Sequence, residues 1–130
     1  MAMAAHVLVV DDEANLRRNL ACYLEDEGME VLQAGSVCEA LEKVRNTSDL
    51  DVCIMDMRLP DMDGNAAILA LHDAYPGLLF LIHTGTAGYT LPEELRRLGL
   101  TSDHVFLKPM TDMAPLASAV VRLTETERYT

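Results

Sequence analysis

Three carboxylates in this chain follow or end short apolar runs. Asp11 and Asp12 come directly after His6–Val10 (HVLVV), and Asp56 ends the run Asp51–Asp56 (DVCIMD). Carboxylates held together in a half-buried cleft raise one another's pKa, so such a cluster is tolerated mainly when a hard cation neutralises it. One or two carboxylates, a backbone carbonyl and several waters suit the octahedral geometry of Mg²⁺. The residue types therefore predict a magnesium site, provided that the fold brings the two runs together.

Two groups suited to phosphate follow later apolar runs. Thr84 stands directly after Leu78–His83 (LLFLIH), and Lys108 stands before Pro109. An ammonium acts as a point charge for phosphate, and a hydroxyl donates a hydrogen bond to it. Taken singly, Lys108 and Thr84 are better explained as a surface lysine and a turn threonine, and Asp12 is explained equally well as a helix N-cap. Their shared placement after strand-like runs favours one common site.

The elements that must position these groups alternate between short apolar runs and longer amphipathic ones. We predict strands over residues 6–10, 29–34, 51–56, 78–83 and 104–107, and helices over residues 14–27 and 65–75. Three further helices are predicted from their starts: capping boxes at Ser36–Glu39 and at Thr90–Glu93, and an N-cap at Thr111 for a helix that ends near Leu123.

This alternation predicts an α/β fold, a doubly wound five-stranded parallel sheet that is flavodoxin-like, with strand order 2-1-3-4-5 and helices on both faces. Ligands of such sheets bind at the carboxyl ends of the strands, where the strand order reverses. Strands 1 and 3 are neighbours in this order. Asp12 and Asp56 are therefore expected to meet although they lie 44 positions apart.

The charge balance excludes several functions. The chain of 130 residues (14.3 kDa) has 10 basic and 21 acidic side chains, which gives a formal net charge of −11. A domain this acidic is not expected to bind nucleic acid directly or to adhere to an anionic membrane surface. No apolar run approaches the ~18 residues that a membrane span requires. We expect the protein to be cytoplasmic.

The cysteines and His83 receive structural interpretations. Cys22, Cys38 and Cys53 have neither the spacing of a zinc site nor the pattern of a disulfide framework. We expect all three to be small buried hydrophobic residues in a reducing compartment. His83, at the end of the fourth predicted strand, is expected to be a packed histidine rather than a base.

The ordered set of motifs resembles the receiver domain of bacterial two-component response regulators. The motifs are Asp11-Asp12 after VLVV, the run Met55–Gly64 (MDMRLPDMDG), Thr84 after LLFLIH, and Lys108-Pro109. The run MDMRLPDMDG is the most specific of them. The similarity extends over about residues 5–123, which we expect to form the receiver domain, with residues 124–130 as a frayed tail or the start of a linker.

The resemblance implies that Asp56 is the phosphoacceptor. It would take a phosphoryl group from the phosphohistidine of a sensor kinase, or from a small donor such as acetyl phosphate. Lys108 would pair with the phosphoryl oxygens, and the Thr84 hydroxyl would donate a hydrogen bond to one of them. Phosphoryl transfer depends mainly on in-line positioning and charge neutralisation, which these groups are suited to supply.

The resemblance also implies a Mg²⁺ cofactor. Asp12 and Asp56 would ligate the ion directly, with the backbone carbonyl of Arg58 as a third protein ligand. Asp11 would act largely through a metal-bound water.

A movement of Thr84 toward the phosphoryl group is the switch that the resemblance implies, read on the face built from the fourth helix, fifth strand and fifth helix. Relatives usually carry Tyr or Phe three residues before the lysine. This chain has Val105 at that position and Phe106 one position later. An aromatic rotamer switch on the fifth strand is therefore not expected here.

The expected function is a phosphorylation-dependent signalling switch and not an enzyme, apart from self-phosphorylation by small donors and slow self-dephosphorylation. The expected partners are a sensor histidine kinase or phosphotransfer protein, and an output domain or downstream protein of unknown identity. A phosphorylation-dependent homodimer is compatible with the resemblance. Two alternatives stay open: a Mg²⁺-dependent phosphohydrolase, and a receiver that only docks and is not phosphorylated.

Overall fold

Strands and helices alternate along the chain as the sequence predicts. The computed structural model describes residues 4–129, with side chains as far as residue 125. The strands are β1 (His6–Val10), β2 (Glu30–Ala34), β3 (Val52–Met55), β4 (Leu79–Thr84) and β5 (Val105–Leu107). The helices are α1 (Ala14–Asp26), α2 (Val37–Arg45), α3 (Gly64–Ala74), α4 (Glu93–Arg97) and α5 (Ala114–Tyr129).

The five strands form one parallel sheet in the order β2-β1-β3-β4-β5, which confirms the predicted topology. In the register of β1 with β3, Val10 is paired with Met55, the last residue of each strand. The Asp56 N–H donates a hydrogen bond to the Val10 carbonyl across this edge (2.9 Å). Asp11 and Asp56 therefore leave neighbouring strands at the same height.

The central strands β1, β3 and β4 are buried on both faces, which explains why they are continuous apolar runs rather than alternating ones. Successive side chains point to opposite faces, so Val10 packs on one side and Val9 on the other. Apolar residues of α2, α3 and α4 cover the first side, and those of α1 and α5 cover the second. The sheet, and with it the ends of its strands, is therefore packed between two hydrophobic cores, one on each face.

Side-chain caps fix the start of α2 but not of α4. The Glu39 N–H donates to the Ser36 Oγ (3.2 Å), as predicted, whereas the Glu39 carboxylate accepts from the Gly35 N–H instead of returning to Ser36. The predicted capping box at Thr90–Glu93 is wrong. The five-residue α4 begins after Pro92 without a side-chain cap, and the Thr90 hydroxyl donates to the Gly88 carbonyl.

Helix α5 differs from its prediction at both ends. Asp112 rather than Thr111 supplies an oxygen at its start, accepting from the Ala114 N–H (2.9 Å). The predicted helix end near Leu123 is wrong, because α5 continues to Tyr129; Thr130 lies outside the described residues, and the assignment of residues 124–130 to a tail or linker stays a prediction. Thr124 is buried, and its hydroxyl donates to the Val120 and Val121 carbonyls, so it satisfies its polar group inside the helix.

The cysteines divide between core and surface. Cys53 lies in β3 and is fully buried, and burial raises the pKa of its thiol. Cys22 and Cys38 are exposed, so the expectation that they are buried is wrong. Both lie on the solvent face of a helix, where a short apolar run in the sequence does not distinguish inward from outward positions. Among residues 4–129, no helix has the length and apolar character of a membrane span.

Candidate functional site

Asp11, Asp12 and Asp56 converge at the carboxyl edge of the sheet, as predicted. Each offers one carboxylate oxygen, and these oxygens all lie within 4.8 Å of one another. Asp11 and Asp56 are only 3% and 5% exposed, whereas Asp12 is exposed. Two buried carboxylates and one accessible carboxylate in this space form a hard, negatively charged donor set. It fits a cation such as Mg²⁺, which retains several waters.

Lys108 provides the positive charge of the site. Its Nζ lies 2.8 Å from Asp11 Oδ2 and 3.4 Å from Asp56 Oδ1, and its side chain is 14% exposed. The Lys108 N–H donates to the Thr84 carbonyl (2.8 Å), which fixes its backbone to the end of β4. Burial lowers the pKa of Lys108, but the hydrogen bond and charge of Asp11, with those of Asp56, outweigh it and raise the pKa above its usual value. The ammonium is therefore charged at neutral pH.

The pKa of Asp56 is raised above its ordinary value. Burial is the main cause and the charge of Asp11 the second, while Lys108 and the Arg58 N–H act in the opposite direction. A single ammonium thus does not compensate the desolvation and repulsion of the carboxylates. Because the ionised form of Asp56 is disfavoured, an added cation would be stabilised at this position.

The raised pKa predicts that Asp56→Asn stabilises the metal-free protein. A carboxyl whose pKa is higher in the folded than in the unfolded state contributes stability below the unfolded-state pKa, and loses it as the pH rises through the folded-state pKa. At neutral pH the variant should therefore need more urea to unfold than the wild type. The difference between the urea midpoints of the variant and the wild type should become smaller as the pH is lowered through the acidic range, because the wild-type carboxyl then becomes protonated. The exposed Asp103→Asn is the control, and an equal gain there would contradict the explanation.

The loop between β3 and α3 is held at both ends. The Arg58 N–H donates to Asp56 Oδ1 (3.3 Å), and Asp63 caps α3 by accepting from the Ala66 N–H (3.3 Å). At the first residue of α3, a Cβ on Gly64 would lie 2.6 Å from the Met57 Cα. This close approach explains the glycine of the MDMRLPDMDG run, and it fixes the backbone directly after Asp56.

We predict that Gly64→Ala destabilises the protein and distorts the site. The new methyl group would overlap the backbone of Met57, and relieving such overpacking typically costs about 1–3 kcal/mol. The urea concentration at the unfolding midpoint and the Mg²⁺ affinity should both decrease. Gly77→Ala is the matched control, since its Cβ would meet nothing within 4 Å. Equal effects of the two substitutions would exclude the Met57 contact as the cause.

Thr84 is buried at the end of β4, beside the backbone of Lys108. Its hydroxyl oxygen accepts a hydrogen bond from the Thr86 N–H (3.1 Å) rather than contacting the carboxylates. On β5, Val105 packs on the side of α2, α3 and α4, whereas Phe106 packs on the side of α1 and α5. Because the Phe106 ring lies on the opposite face of the sheet, it cannot take the place of an aromatic side chain at position 105.

Two residues near the site, Arg17 and Asp61, were not predicted from the sequence. The Arg17 Nη1 donates to the Asp11 carbonyl (2.8 Å) and steadies the loop after β1. Asp61 accepts from the Val37 and Cys38 N–H groups (both 3.0 Å), so the loop after Asp56 caps α2. These hydrogen bonds lower the pKa of Asp61. The sequence signals were an arginine in the first turns of α1 and an aspartate after Pro60.

His83 is a packed histidine, as expected. It is 2% exposed, and its Nε2 has no hydrogen-bond partner among the described residues. Burial first, and then the charge of Lys108, lower its pKa to about 4. The imidazole is therefore neutral at physiological pH.

The sequence of this chain is similar to that of proteins from one known family. A protein-family model described as the response regulator receiver domain matches residues 7–120. The transcriptional regulatory protein GlrR of Escherichia coli (strain K12) is 36% identical over 80 residues, which are 62% of this chain and 18% of that protein. The probable transcriptional regulatory protein TcrX of Mycobacterium tuberculosis is 33% identical over 126 residues, 95% of this chain and 50% of that protein. The chain thus spans half or less of these relatives.

Solved structures share the fold. A CheY-like receiver domain from Methanospirillum hungatei JF-1 has a TM-score of 0.79 and 28% identity, and the match covers 98% of this chain and 100% of that one. A response regulator protein from Burkholderia pseudomallei, solved with a phosphorylated aspartic acid, a calcium ion and citrate, has a TM-score of 0.75 and 26% identity. That match covers 96% of this chain and 72% of the other.

Proposed function

This chain belongs to the response regulator receiver domain family, and we propose that Asp56 is the residue on which it accepts a phosphoryl group. A receiver domain is a signalling module that is phosphorylated on aspartate. The observation that carries the assignment is the position of Asp56, which is buried at the carboxyl end of β3, within 4.8 Å of Asp11 and Asp12 and 3.4 Å from the Lys108 Nζ. The phosphorylated aspartic acid of the Burkholderia relative supports this chemistry.

The proposed step forms one bond and breaks one. An Asp56 carboxylate oxygen forms an O–P bond to the phosphoryl group, while the donor's N–P bond in phosphohistidine, or its O–P bond in acetyl phosphate, breaks. The imidazole or acetate leaves with the bonding electron pair. Lys108, already held at the carboxylates, neutralises charge on the phosphoryl oxygens, and the Thr84 hydroxyl donates to one of them. These two roles explain why a cation and a hydroxyl follow consecutive strands.

The proposed metal ligands are Asp12, Asp56 and the backbone carbonyl of Arg58, with Asp11 acting through water. When bound, Mg²⁺ would neutralise the carboxylates and the incoming phosphoryl oxygens. Asp12 is the exposed member of the cluster and can therefore hold an ion that keeps part of its water shell. The Arg58 N–H to Asp56 hydrogen bond supports the third ligand, because it keeps that backbone beside the carboxylate.

Magnesium is predicted to stabilise the protein through this cluster. A ligand that binds only the folded state adds about 2.7 kcal/mol at a concentration one hundred times its Kd. The thermal midpoint should therefore rise with Mg²⁺, and Asp12→Asn should lose most of the rise. Glu13→Gln is the matched control, because it removes the same charge from the next exposed position. If both variants lose the rise equally, general charge rather than ligation is responsible.

The partners follow from the same proposal. The phosphoryl donor would be a sensor histidine kinase or a phosphotransfer protein. One relative of this chain is the sensor kinase CckA of Brucella abortus (strain 2308). We propose residues 5–123 as the core of the domain, a cytoplasmic location, and an output through a further domain or protein. The net charge of −11 argues against direct contact of this domain with DNA.

The phosphorylation proposal and its alternatives give different results with acetyl phosphate and Mg²⁺. A phosphoacceptor gains one phosphoryl group per chain, visible as one mass increment that decays slowly. A phosphohydrolase would instead release phosphate from a phosphomonoester over many turnovers, and a docking domain would do neither. Stoichiometric labelling supports the proposal; repeated release of phosphate from the phosphomonoester, or the absence of any adduct with acetyl phosphate, would contradict it.

A further inference from the structure

A chain of three hydrogen bonds connects Thr84 to helix α3. The Thr84 Oγ1 accepts from the Thr86 N–H (3.1 Å), and the Thr86 carbonyl accepts from the Tyr89 N–H (3.3 Å). The Tyr89 hydroxyl then donates to the Asn65 Oδ1 at 2.6 Å. Asn65 is the second residue of α3, directly after the loop that leaves Asp56. The chain therefore joins the two loops that leave β3 and β4 at the site.

Tyr89 is an aromatic residue on the same side of the sheet as Val105, the β5 position that lacks an aromatic ring. Its ring is partly buried against the core on the side of α2, α3 and α4, the same core that Val105 contacts. Tyr89 and Val105 line one groove, and Tyr89 is the aromatic side chain in that lining. The β4–α4 loop thus places an aromatic ring in the groove that Val105 also lines.

We propose that Tyr89 is a positioning residue for Thr84, and that its hydrogen bond to Asn65, here called the Tyr89–Asn65 latch, holds the β4–α4 loop in the unphosphorylated arrangement. This inference rests on the proposed roles of Asp56 and Thr84. When the Thr84 Oγ1 moves to donate to a phosphoryl oxygen, the Thr86 amide bonded to it must follow or lose its partner. Either change would displace the turn that carries Tyr89, because the Tyr89 N–H is bonded to the Thr86 carbonyl.

An interaction made only in the unphosphorylated arrangement opposes phosphoryl binding by its own free energy. Tyr89→Phe removes the latch and keeps the ring. We expect the variant to bind beryllofluoride, a phosphoryl analogue, about fivefold more tightly than the wild type in the presence of Mg²⁺, which corresponds to about 1 kcal/mol for one hydrogen bond. The affinity is measured by ¹⁹F NMR or by calorimetry on the full chain.

The matched control is Tyr75→Phe. The Tyr75 hydroxyl accepts a hydrogen bond from the Leu50 N–H (3.0 Å), near the other end of α3. Its removal lowers stability without touching the β4–α4 loop, so the beryllofluoride affinity should stay at the wild-type value. A gain in Tyr75→Phe equal to that in Tyr89→Phe would overturn the inference, because loss of stability alone would then explain both.

A double-mutant cycle tests whether the latch acts through Thr84. In the Thr84→Ala background the chain of hydrogen bonds is already broken, so adding Tyr89→Phe should leave the affinity unchanged. A gain that persists in that background, or no gain in the single variant, would overturn the latch while leaving the proposed function intact. A wild-type protein that binds no beryllofluoride would contradict the proposed function and this inference together.

Discussion

Replacing Asp56 by Asn should abolish the phosphoryl adduct formed from acetyl phosphate and Mg²⁺. The amide is isosteric with the carboxylate but lacks the anionic oxygen that attacks phosphorus. Because the raised pKa of Asp56 makes the wild-type carboxylate the unfavourable form, the Asn variant should fold at least as well as the wild type. Loss of the adduct can then be read as loss of the acceptor and not of the fold. Intact-mass measurement after a fixed incubation gives the labelled fraction.

The control for this result is Asp103→Asn, which changes an exposed aspartate next to β5. It should be labelled to the wild-type extent. If Asp56→Asn is still labelled like the wild type, the phosphoryl group is on another residue and the assignment of Asp56 is wrong. A circular dichroism spectrum of the variant that matches the wild type completes the comparison.

Lys108→Ala should produce the second largest effect, a reduction of about a hundredfold or more in the labelling rate. Its Nζ is the cation beside both buried carboxylates, at 2.8 Å from Asp11 and 3.4 Å from Asp56. Losing one preorganised donor at a developing charge typically costs about 10²–10³ in rate. Without the ammonium, the pKa of Asp56 should rise further, because Lys108 is a cause that lowers it. The variant should therefore recover stability as the pH is lowered.

Lys43 is the other lysine of the chain, exposed on α2, and Lys43→Ala is the matched control. It should be labelled at the wild-type rate. Time courses of the intact mass at several acetyl phosphate concentrations separate weaker binding of the donor from a slower step. Labelling of Lys108→Ala at the wild-type rate would show that the lysine holds the carboxylates without assisting transfer.

The position of the acidic cluster could be predicted because two simple regularities determine it. Apolar runs that end at carboxylates place Asp11 and Asp56 at strand ends, and the strand order of a doubly wound sheet makes β1 and β3 neighbours. Neither step depends on side-chain detail. The pairing of Val10 with Met55 then brings the acids to the same height.

Contacts between separate loops could not be predicted in the same way. Tyr89 and Asn65 are 24 positions apart, and nothing in their neighbours indicates that they meet. Asp61 has the residue type of a local cap but caps α2, which precedes it in the chain. The length of α5 was underestimated because residues 124–130 have no apolar pattern, whereas Thr124 is buried and bonds to its own helix backbone. These outcomes depend on tertiary packing.

The role of Asp56 as phosphoacceptor is tested most directly by locating the phosphoryl group on the chain. An acyl phosphate on aspartate is reduced by borohydride to the alcohol homoserine, which survives peptide mapping by mass spectrometry. After incubation with acetyl phosphate and Mg²⁺ and then reduction, homoserine is expected at position 56 and at no other aspartate. Homoserine at Asp11, Asp12 or any other position, with Asp56 unchanged, would contradict it.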